Sequence, residues 1–494
     1  MLETPDTPDL RSRVIRGLGW KAFSQIAVQG MALVSTIVIA HLLTPSEVGL
    51  VAMASVFSTL AIILSDLALG AAIVQRETLT EEDRSTSFWM NVGVGVLLTV
   101  AGFFLAGPIA SLYGEPDVEQ LFQVISVVFI LSTLGATHNA LMIREMRFRS
   151  LEIRTVIASG VAGGVAIMAA FLGAGSWAIV AQMITITAVS TLLVWRAAHW
   201  RPRFLVSRQS ARELTSFSKW IVGARLLSYL NSNADNYLVG RYVGSAALGA
   251  YQIAYNVMLV PITRLAGPVQ EVIYPAISKI REPRRVGEAW LRATTMVSLI
   301  TVPAFAGMAV VAEDFVAVVL GDQWDDAVPV LQILCWVGIV QSVLWQIAVV
   351  LQALDRNAWG FRFTVVATAV TITAYVIGVQ WGIVGVAVSS AVAATVLAPY
   401  YLSLPLRATG VRALAFLGAI AGVLEASAVM GLVLLALRTL ALDSLSPALR
   451  LVILVAAGLA IYLPLAGWRV PEAVQELRAL RRRGGPEEGE AVAS

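Results

Sequence analysis

The chain has 494 residues, of which 58% are hydrophobic and only 14% charged, against roughly 45–50% and 25% in an ordinary globular protein. Its mean hydropathy is +0.78. So few charges cannot clothe a soluble surface of this size, so the main solvent of the chain is lipid. A net charge of +3 is too small and too dispersed to point to nucleic acid; in a membrane protein the placement of the basic residues carries the information. The single cysteine, Cys335, lies in an apolar run, which excludes an intrachain disulfide and a cysteine metal cluster. The polar start MLETPDTPDLRSRVIRG is not expected to act as a cleaved secretion signal. Nowhere is there a polar block long enough for a soluble catalytic domain.

A helix needs about 20 mainly apolar residues to cross a bilayer. In chain order the candidate spans are 20–43, 48–74, 88–112, 118–142, 155–174, 176–196, 219–240, 247–278, 290–312, 328–354, 358–379, 382–404, 413–437 and 449–467. Summed over alternate connections with the N-terminus inside, thirty of the 35 Lys and Arg fall on the cytoplasmic side. Only Arg241, Arg438 and Arg450 fall on the other, and Arg225 and Arg264 lie within spans. Such a bias is the positive-inside signature of an even number of spans with both termini cytoplasmic. The plain account of the inside arginines, among them Arg144, Arg147, Arg149 and Arg154, is orientation and attraction to anionic headgroups. The longest inside connection, 197–218, is expected along the membrane interface.

Three short matches recur at nearly constant offset. His41-Leu42-Leu43 with Glu47-Val48-Gly49 aligns with Arg241-Tyr242-Val243 and Ala247-Leu248-Gly249. Tyr113-Gly114-Glu115 aligns with Leu320-Gly321-Asp322, and Trp177-Ala178-Ile179-Val180 with Trp381-Gly382-Ile383-Val384. Each pair occupies equal topological positions, which points to a duplication. The expected fold is an all-α integral membrane protein of about fourteen transmembrane helices. Two pseudo-symmetric six-helix lobes, 1–206 and 207–406, surround a central cavity. Spans 13 and 14 (407–468) are appended, and a cytoplasmic tail, 469–494, is expected to be disordered. Even spans per lobe make this a parallel repeat, the arrangement of a transporter that rocks.

Charges inside the bilayer are costly, about 2.5–3.5 kcal/mol on insertion scales, so those present mark sites. In span 7, Arg225, Ser228, Ser232, Asp235, Asn236 and Val239 fall within about 100° of arc at helical spacing, with Asn231 at the edge. Span 8 places Arg264 and Glu271 on one face, bracketed by Pro261 and Pro268, which should weaken the backbone there. Asp66 lies on a polar stripe of span 2, and Glu425 stands alone in span 13. For each the plainer account is a structural ion pair or polar packing; spans 7 and 8 together exceed what packing requires. Arginine grips phosphate bidentately, Asn and Ser suit sugar hydroxyls, and an acid among arginines suits proton or sodium exchange. The candidate substrate residues are therefore Arg225, Arg264, Asp235, Asn231, Asn236, Glu271 and Asp66. Tyr229, Tyr237, Tyr242, Tyr251 and Tyr255 read mainly as belt or packing residues. Gly160, Gly163 and Gly164 read as helix packing. No catalytic constellation, metal-ligand spacing or GxxxxGK[ST] loop occurs, so neither an enzyme nor a bound metal is expected.

Several stretches carry a family likeness: Asp66-Leu-Ala-Leu-Gly70-Ala-Ala-Ile-Val-Gln75-Arg76, Phe88-Trp-Met-Asn91 and Leu172-Gly-Ala-Gly-Ser-Trp177-Ala-Ile-Val-Ala-Gln182, with Asp235-Asn-Tyr-Leu-Val-Gly240-Arg241 and Leu248-Gly-Ala-Tyr251-Gln-Ile-Ala-Tyr255. From about residue 12 to 405 the chain resembles the Wzx-type polysaccharide and lipopolysaccharide exporters of the MOP flippase superfamily. The resemblance implies a flippase in the bacterial cytoplasmic membrane for undecaprenyl-diphosphate-linked oligosaccharide units. It also implies membrane lipid contacts and a polysaccharide polymerase and glycosyltransferases as pathway partners. No cofactor is implied beyond coupling to H+ or Na+. In related lipid II flippases the last helix pair shapes a groove for the lipid tail, which makes spans 13 and 14 candidates for that role. The alternatives are a cation-coupled drug or metabolite antiporter of the same superfamily and a membrane-embedded glycan polymerase or ligase.

Overall fold

The computed structural model describes residues 7–65, 69–76, 78–266, 277, 280, 282–471, 473 and 475. Among them the chain is helical throughout and has no strand, as hydrocarbon demands of a chain that must satisfy its backbone polar groups internally. The first helices are α1 (Thr7–Leu42), α2 (Pro45–Ser65), α3 (Leu69–Gln75), α4 (Glu81–Tyr113), α5 (Asp117–Ile125) and α6 (Val127–Arg144). They are followed by α7 (Phe148–Phe171), α8 (Ser176–Ala197), α9 (Arg208–Tyr242) and α10 (Ser245–Val260), which gives way to a wider π turn at Pro261–Ala266. The rest are α11 (Pro283–Phe315), α12 (Ala327–Leu344), α13 (Ile347–Ala353), α14 (Asn357–Gly378), α15 (Gly382–Thr409), α16 (Ala413–Leu440) and α17 (Pro447–Arg469). Among the described residues eleven segments are long and apolar enough to cross a membrane, and one of them, Asn357–Thr409, comprises α14 and α15. Within the described residues the expected spans coincide with these segments and with α1 and α9; 66–68 of the expected span 48–74 and 267–276 of the expected span 247–278 lie outside the described residues. The chain is an all-α integral membrane protein of about fourteen spans. The expected disordered tail lies outside the described residues beyond 475.

Spans 4 and 10 are each interrupted. The regular helix breaks at Ser126, whose hydroxyl and main-chain N–H both donate to the carbonyl of Phe122, at 2.7 and 2.9 Å; such a back-bond often accompanies a bend. The interrupted segment is held by Thr99, whose hydroxyl donates to Ser126 O at 3.0 Å. Gly102 is required there: a Cβ would collide with the Ser126 side chain.

The chain divides into two compact units, Met1–Gly249 and Ala250–Ser494. In the first, α7 packs on α1 and α8, α6 on α4 and α8, and α9 lies on α2, α3 and α4. Gly160 and Gly163 face Met31 and Ser35 of α1, so the small-residue cluster serves close helix approach. Arg144 donates to the carbonyls of Ile73 at 2.8 Å and Val74 at 3.3 Å; it caps the end of α3, where the helix dipole favours a cation. The connection after α8 docks on the first turns of α4. Trp200 Nε1 donates to Glu81 at 2.7 Å, Trp89 Nε1 to Arg203 O at 2.8 Å, and Ser207 N to Thr86 Oγ1 at 2.9 Å.

Two of the repeated stretches meet in this unit. A Cβ on Gly49 would strike the carbonyl of Ser245, and a Cβ on Gly249 would strike the carbonyl of Pro45. The contact is reciprocal between equivalent positions 200 residues apart, Pro45 with Ser245 and Gly49 with Gly249, the pattern of a local two-fold. Ser46 and Ser245 hydroxyls lie 2.9 Å apart beside it. The second repeated feature, Gly114 and Gly321, has positive φ in both copies, 77° and 100°, a backbone conformation that favours glycine.

In the second unit α11 is the hub, packed on α12, α15, α16 and α17. Trp290 stacks on Phe416 with ring centroids 5.1 Å apart, and both are buried with Ile347, Val350, Val423 and Leu454. The C-terminal helix pair thus shares this unit's core. Pro303 cannot donate to the carbonyl of Leu299 four residues back; the Tyr462 hydroxyl of α17 donates to it instead at 2.7 Å. Two of the three arginines that departed from the charge bias, Arg438 and Arg450, are neutralised here. Asp314, fully buried at the end of α11, accepts from Arg450 Nε at 2.6 Å and lies 3.4 Å from Arg438 Nε. Glu313 also pairs with Arg438, and Asp443 lies 3.7 Å from Arg450. Glu425 pairs with Arg469 at the far end of α17, so its plainer account holds.

Two tests follow from this packing. Asp314→Asn removes the buried carboxylate that Arg438 and Arg450 share and leaves them only Glu313 and Asp443; it should cost about 1.5–3 kcal/mol, the scale of a lost charged hydrogen bond, read as a fall in the melting temperature of the detergent-purified protein, while Asp443→Asn, at an exposed position, should leave it unchanged. Gly49→Ala or Gly249→Ala should destabilise by about 1–3 kcal/mol through overpacking, whereas Gly30→Ala, with open space around it, should be neutral or gain the ~0.5–1 kcal/mol of helix propensity.

Candidate functional site

The most polar membrane helix, α9, starts from Ser207, whose hydroxyl accepts from Ser210 N at 3.4 Å. Its seat is aromatic. Tyr229 donates its hydroxyl to the carbonyl of Val56 on α2. Phe57, Tyr113 and Tyr237 form a three-ring cluster, with centroids 6.0 Å apart for Phe57 and Tyr113 and 5.7 Å for Tyr113 and Tyr237. Gly240 lets Tyr113 come close. Tyr229 and Tyr237 are thereby packing residues. Tyr242 is exposed, with the Arg241 guanidinium 5.6 Å from its ring centroid, as suits a belt position. Tyr251 is buried and stacks on Tyr255 at 6.4 Å.

The polar stripe of α9 is split along its length. Arg225, Ser228 and Ser232 are exposed, on consecutive turns of one face. Asp235 and Asn236 are buried, at 4% and 9% exposure. Asp235 Oδ1 accepts from Asn236 N at 2.9 Å, and Asn236 Nδ2 donates to Asn233 Oδ1 at 3.4 Å, with Asn233 in turn donating to Tyr229 O at 3.1 Å. Asn231 lies between the two sets, half-buried, and its Oδ1 accepts no hydrogen bond. The helix therefore combines a cation and hydroxyls along one exposed row, with an unpaired buried amide acceptor, a carboxylate and a second amide beneath. Such a set can bind an anionic group at one end and hydroxyl donors at the other.

Asp66 and Glu271 lie outside the described residues, as does the side chain of Arg264. The Arg264 main chain belongs to the π turn that follows Pro261, where the sequence expects a weakened backbone; such turns recur at functional positions. A polar cavity of about 310 Å³ in the first unit, between α6, α7 and α8, went unread in the sequence. It is lined by Arg154 and Asn139, and its walls come from three helices, so no single periodicity reveals it.

A family model described as polysaccharide biosynthesis protein matches residues 38–329, which include all of α9. Lipopolysaccharide biosynthesis protein WzxC of Escherichia coli (strain K12) is 32% identical over 384 residues, 76% of this chain and 77% of that protein. The chain belongs to this polysaccharide biosynthesis family. Another relative, teichuronic acid biosynthesis protein TuaB of Bacillus subtilis (strain 168), is 26% identical over 68% of this chain and 70% of its own. Among solved structures, lipid II flippase MurJ in an inward closed conformation matches with a TM-score of 0.72, at 16% identity over 95% of this chain and 100% of that one. An inward-facing multidrug resistance MATE family transporter of the MOP superfamily matches at 0.61, with 15% identity over 78% and 96%. These two likenesses bear on the fold. The Wzx-type resemblance carried by the sequence motifs is borne out by the family match and its relatives.

Proposed function

We propose that the protein is a flippase that moves lipid-linked oligosaccharide units across the membrane for surface polysaccharide assembly. It is a transporter, not an enzyme. What carries the reading is membership of the polysaccharide biosynthesis family together with a membrane helix that presents Arg225, Ser228, Asn231 and Ser232 along one flank. The substrate has two incompatible parts: an isoprenoid tail that stays in hydrocarbon and a diphosphate-sugar head that cannot enter it. A polar row on a membrane helix lowers the cost for the head alone. Arg225, with Arg264, grips the polyprenyl diphosphate, since a guanidinium fork matches phosphoryl oxygens in pairs. Asn231 and Asn236 meet sugar hydroxyls. Asp235, Glu271 and Asp66 either meet the sugar or exchange the H+ or Na+ that drives the cycle.

In this reading the repeated lobes, 1–206 and 207–406, alternate access to the head, both termini lie in the cytoplasm, and the protein works in the bacterial inner membrane beside a polymerase and glycosyltransferases. The guanidinium of Arg225, a permanent cation on the exposed part of the row, disfavours the cationic drugs that a drug antiporter would carry. The test is complementation of a host deleted for its own repeat-unit exporter, scoring surface polymer per membrane-inserted protein. Arg225→Ala and Arg264→Ala should each lower export about tenfold or more, the scale of one charged hydrogen bond, at normal membrane abundance, and Arg225→Lys should restore part of it. Normal export by both alanine variants would overturn the assignment.

A further inference from the structure

The cavity between α6, α7 and α8 is a second polar feature, within the first unit and away from the stripe of α9. Its walls include Ser132, Asn139, Arg154, Thr187, Ser190 and Thr191. Arg154 stands in the second turn of α7 and donates from Nη1 to Asn139 Oδ1 at 2.9 Å. Its Nε is buried and donates to nothing. No carboxylate lines the cavity; Glu152, two residues earlier, acts on Arg154 through its charge but is not on the wall. A cation held in place by an amide, with a buried donor left over and only hydroxyls and an amide facing it across the cavity, is a site for an anion.

The hydroxyls narrow the chemistry. Ser132 donates to Phe129 O at 2.8 Å, Thr187 to Met183 O at 2.9 Å and Thr191 to Leu131 O at 2.8 Å. Their protons are engaged, so their oxygens present lone pairs to the cavity and accept from a ligand that carries hydroxyls of its own. The surroundings narrow it further. One and two turns beyond Arg154 on the same flank of α7, Ile157 and Val161 are 44% and 45% exposed, and Met168 and Phe171 continue the exposed apolar row. That row faces hydrocarbon and matches an acyl chain, which a free phosphate lacks.

We propose that this cavity binds the headgroup of an anionic glycerophospholipid, a phosphodiester bearing free hydroxyls such as phosphatidylglycerol, with Arg154 on the phosphate and an acyl chain along Ile157 and Val161. The site differs from general attraction of arginines to anionic lipid in having a fixed guanidinium and a shaped, hydroxyl-lined wall. It takes a structural lipid rather than the transported unit, and it stands whether or not the reading of α9 holds.

Native mass spectrometry of the purified protein in micelles with equimolar phosphatidylglycerol and phosphatidylcholine tests it. One phosphatidylglycerol should survive activation that strips phosphatidylcholine. Arg154→Gln should lower that occupancy at least about tenfold, and Asn139→Ala and Ser190→Ala severalfold, with melting temperatures near wild type. Millimolar inorganic phosphate or glycerol 3-phosphate should not displace the lipid. Equal retention by Arg154→Gln and wild type, equal retention of the two lipids, or displacement by free phosphate would each overturn the proposal. If Arg154→Gln fails to fold, the two milder variants decide: unchanged lipid preference in both rejects the site.

Discussion

An ionised side chain in hydrocarbon must find a partner, and that constraint orders the charges of this chain more than any motif does. Where the partner is protein, the charge becomes a fastener. Asp314 holds Arg438 and Arg450, which ties the C-terminal helix pair to α11 at one rim, while Glu425 and Arg469 join the pair at the other. Arg144 is neutralised by the carbonyl ends of α3. The same rule governs neutral polar groups: the carbonyl that Pro303 leaves open is closed by Tyr462. In each case removing one member would expose the other to an apolar surrounding, so these contacts are structural even though their residues are the types that sites employ.

The features left after this sorting are of a different kind. On α9 the polar residues run along the helix, exposed at Arg225, Ser228 and Ser232 and buried at Asp235 and Asn236. A fastener is compact, whereas a surface meant for an extended polar head is long and graded. Its underside is fixed by rings: Phe57, Tyr113 and Tyr237 hold α9 against α2 and α4. A rigid seat beneath an open polar row is the combination in which side chains can bind a ligand without first paying to be ordered.

The spans were legible because their signal is local. Apolar length and the side taken by Lys and Arg need no knowledge of packing, and Arg438 and Arg450 broke the pattern only because their acids, Glu313 and Asp314, sit more than a hundred residues away. The break at Ser126 was not legible, since serine is common in membrane helices and its bond to Phe122 O exists only once the helix has formed. Half of the candidate site was legible for the same reason: helical spacing groups Arg225, Ser228, Ser232, Asp235 and Asn236 on one face, but it cannot say which part of that face another helix covers. The cavity at Arg154 was invisible because Asn139, Arg154 and Ser190 lie on three helices, and in one dimension Arg154 reads like any other inside arginine.

Under the proposed duplication, sequence likeness fades while geometry persists. The two stretches at 45–49 and 245–249 share little beyond a final glycine, yet each glycine receives the carbonyl of a residue in the other stretch. About a local two-fold a close backbone approach has to be made twice, so a side chain is excluded at both copies at once. Gly114 and Gly321 repeat the lesson at a turn, where the positive φ and not a contact forbids a Cβ. Elsewhere in the repeats a buried position asks only for some apolar side chain of suitable volume, which many residues meet. The surviving matches therefore fall where backbone geometry admits one residue type, and weak matches at constant offset are what an old duplication in a lipid-facing fold should leave behind.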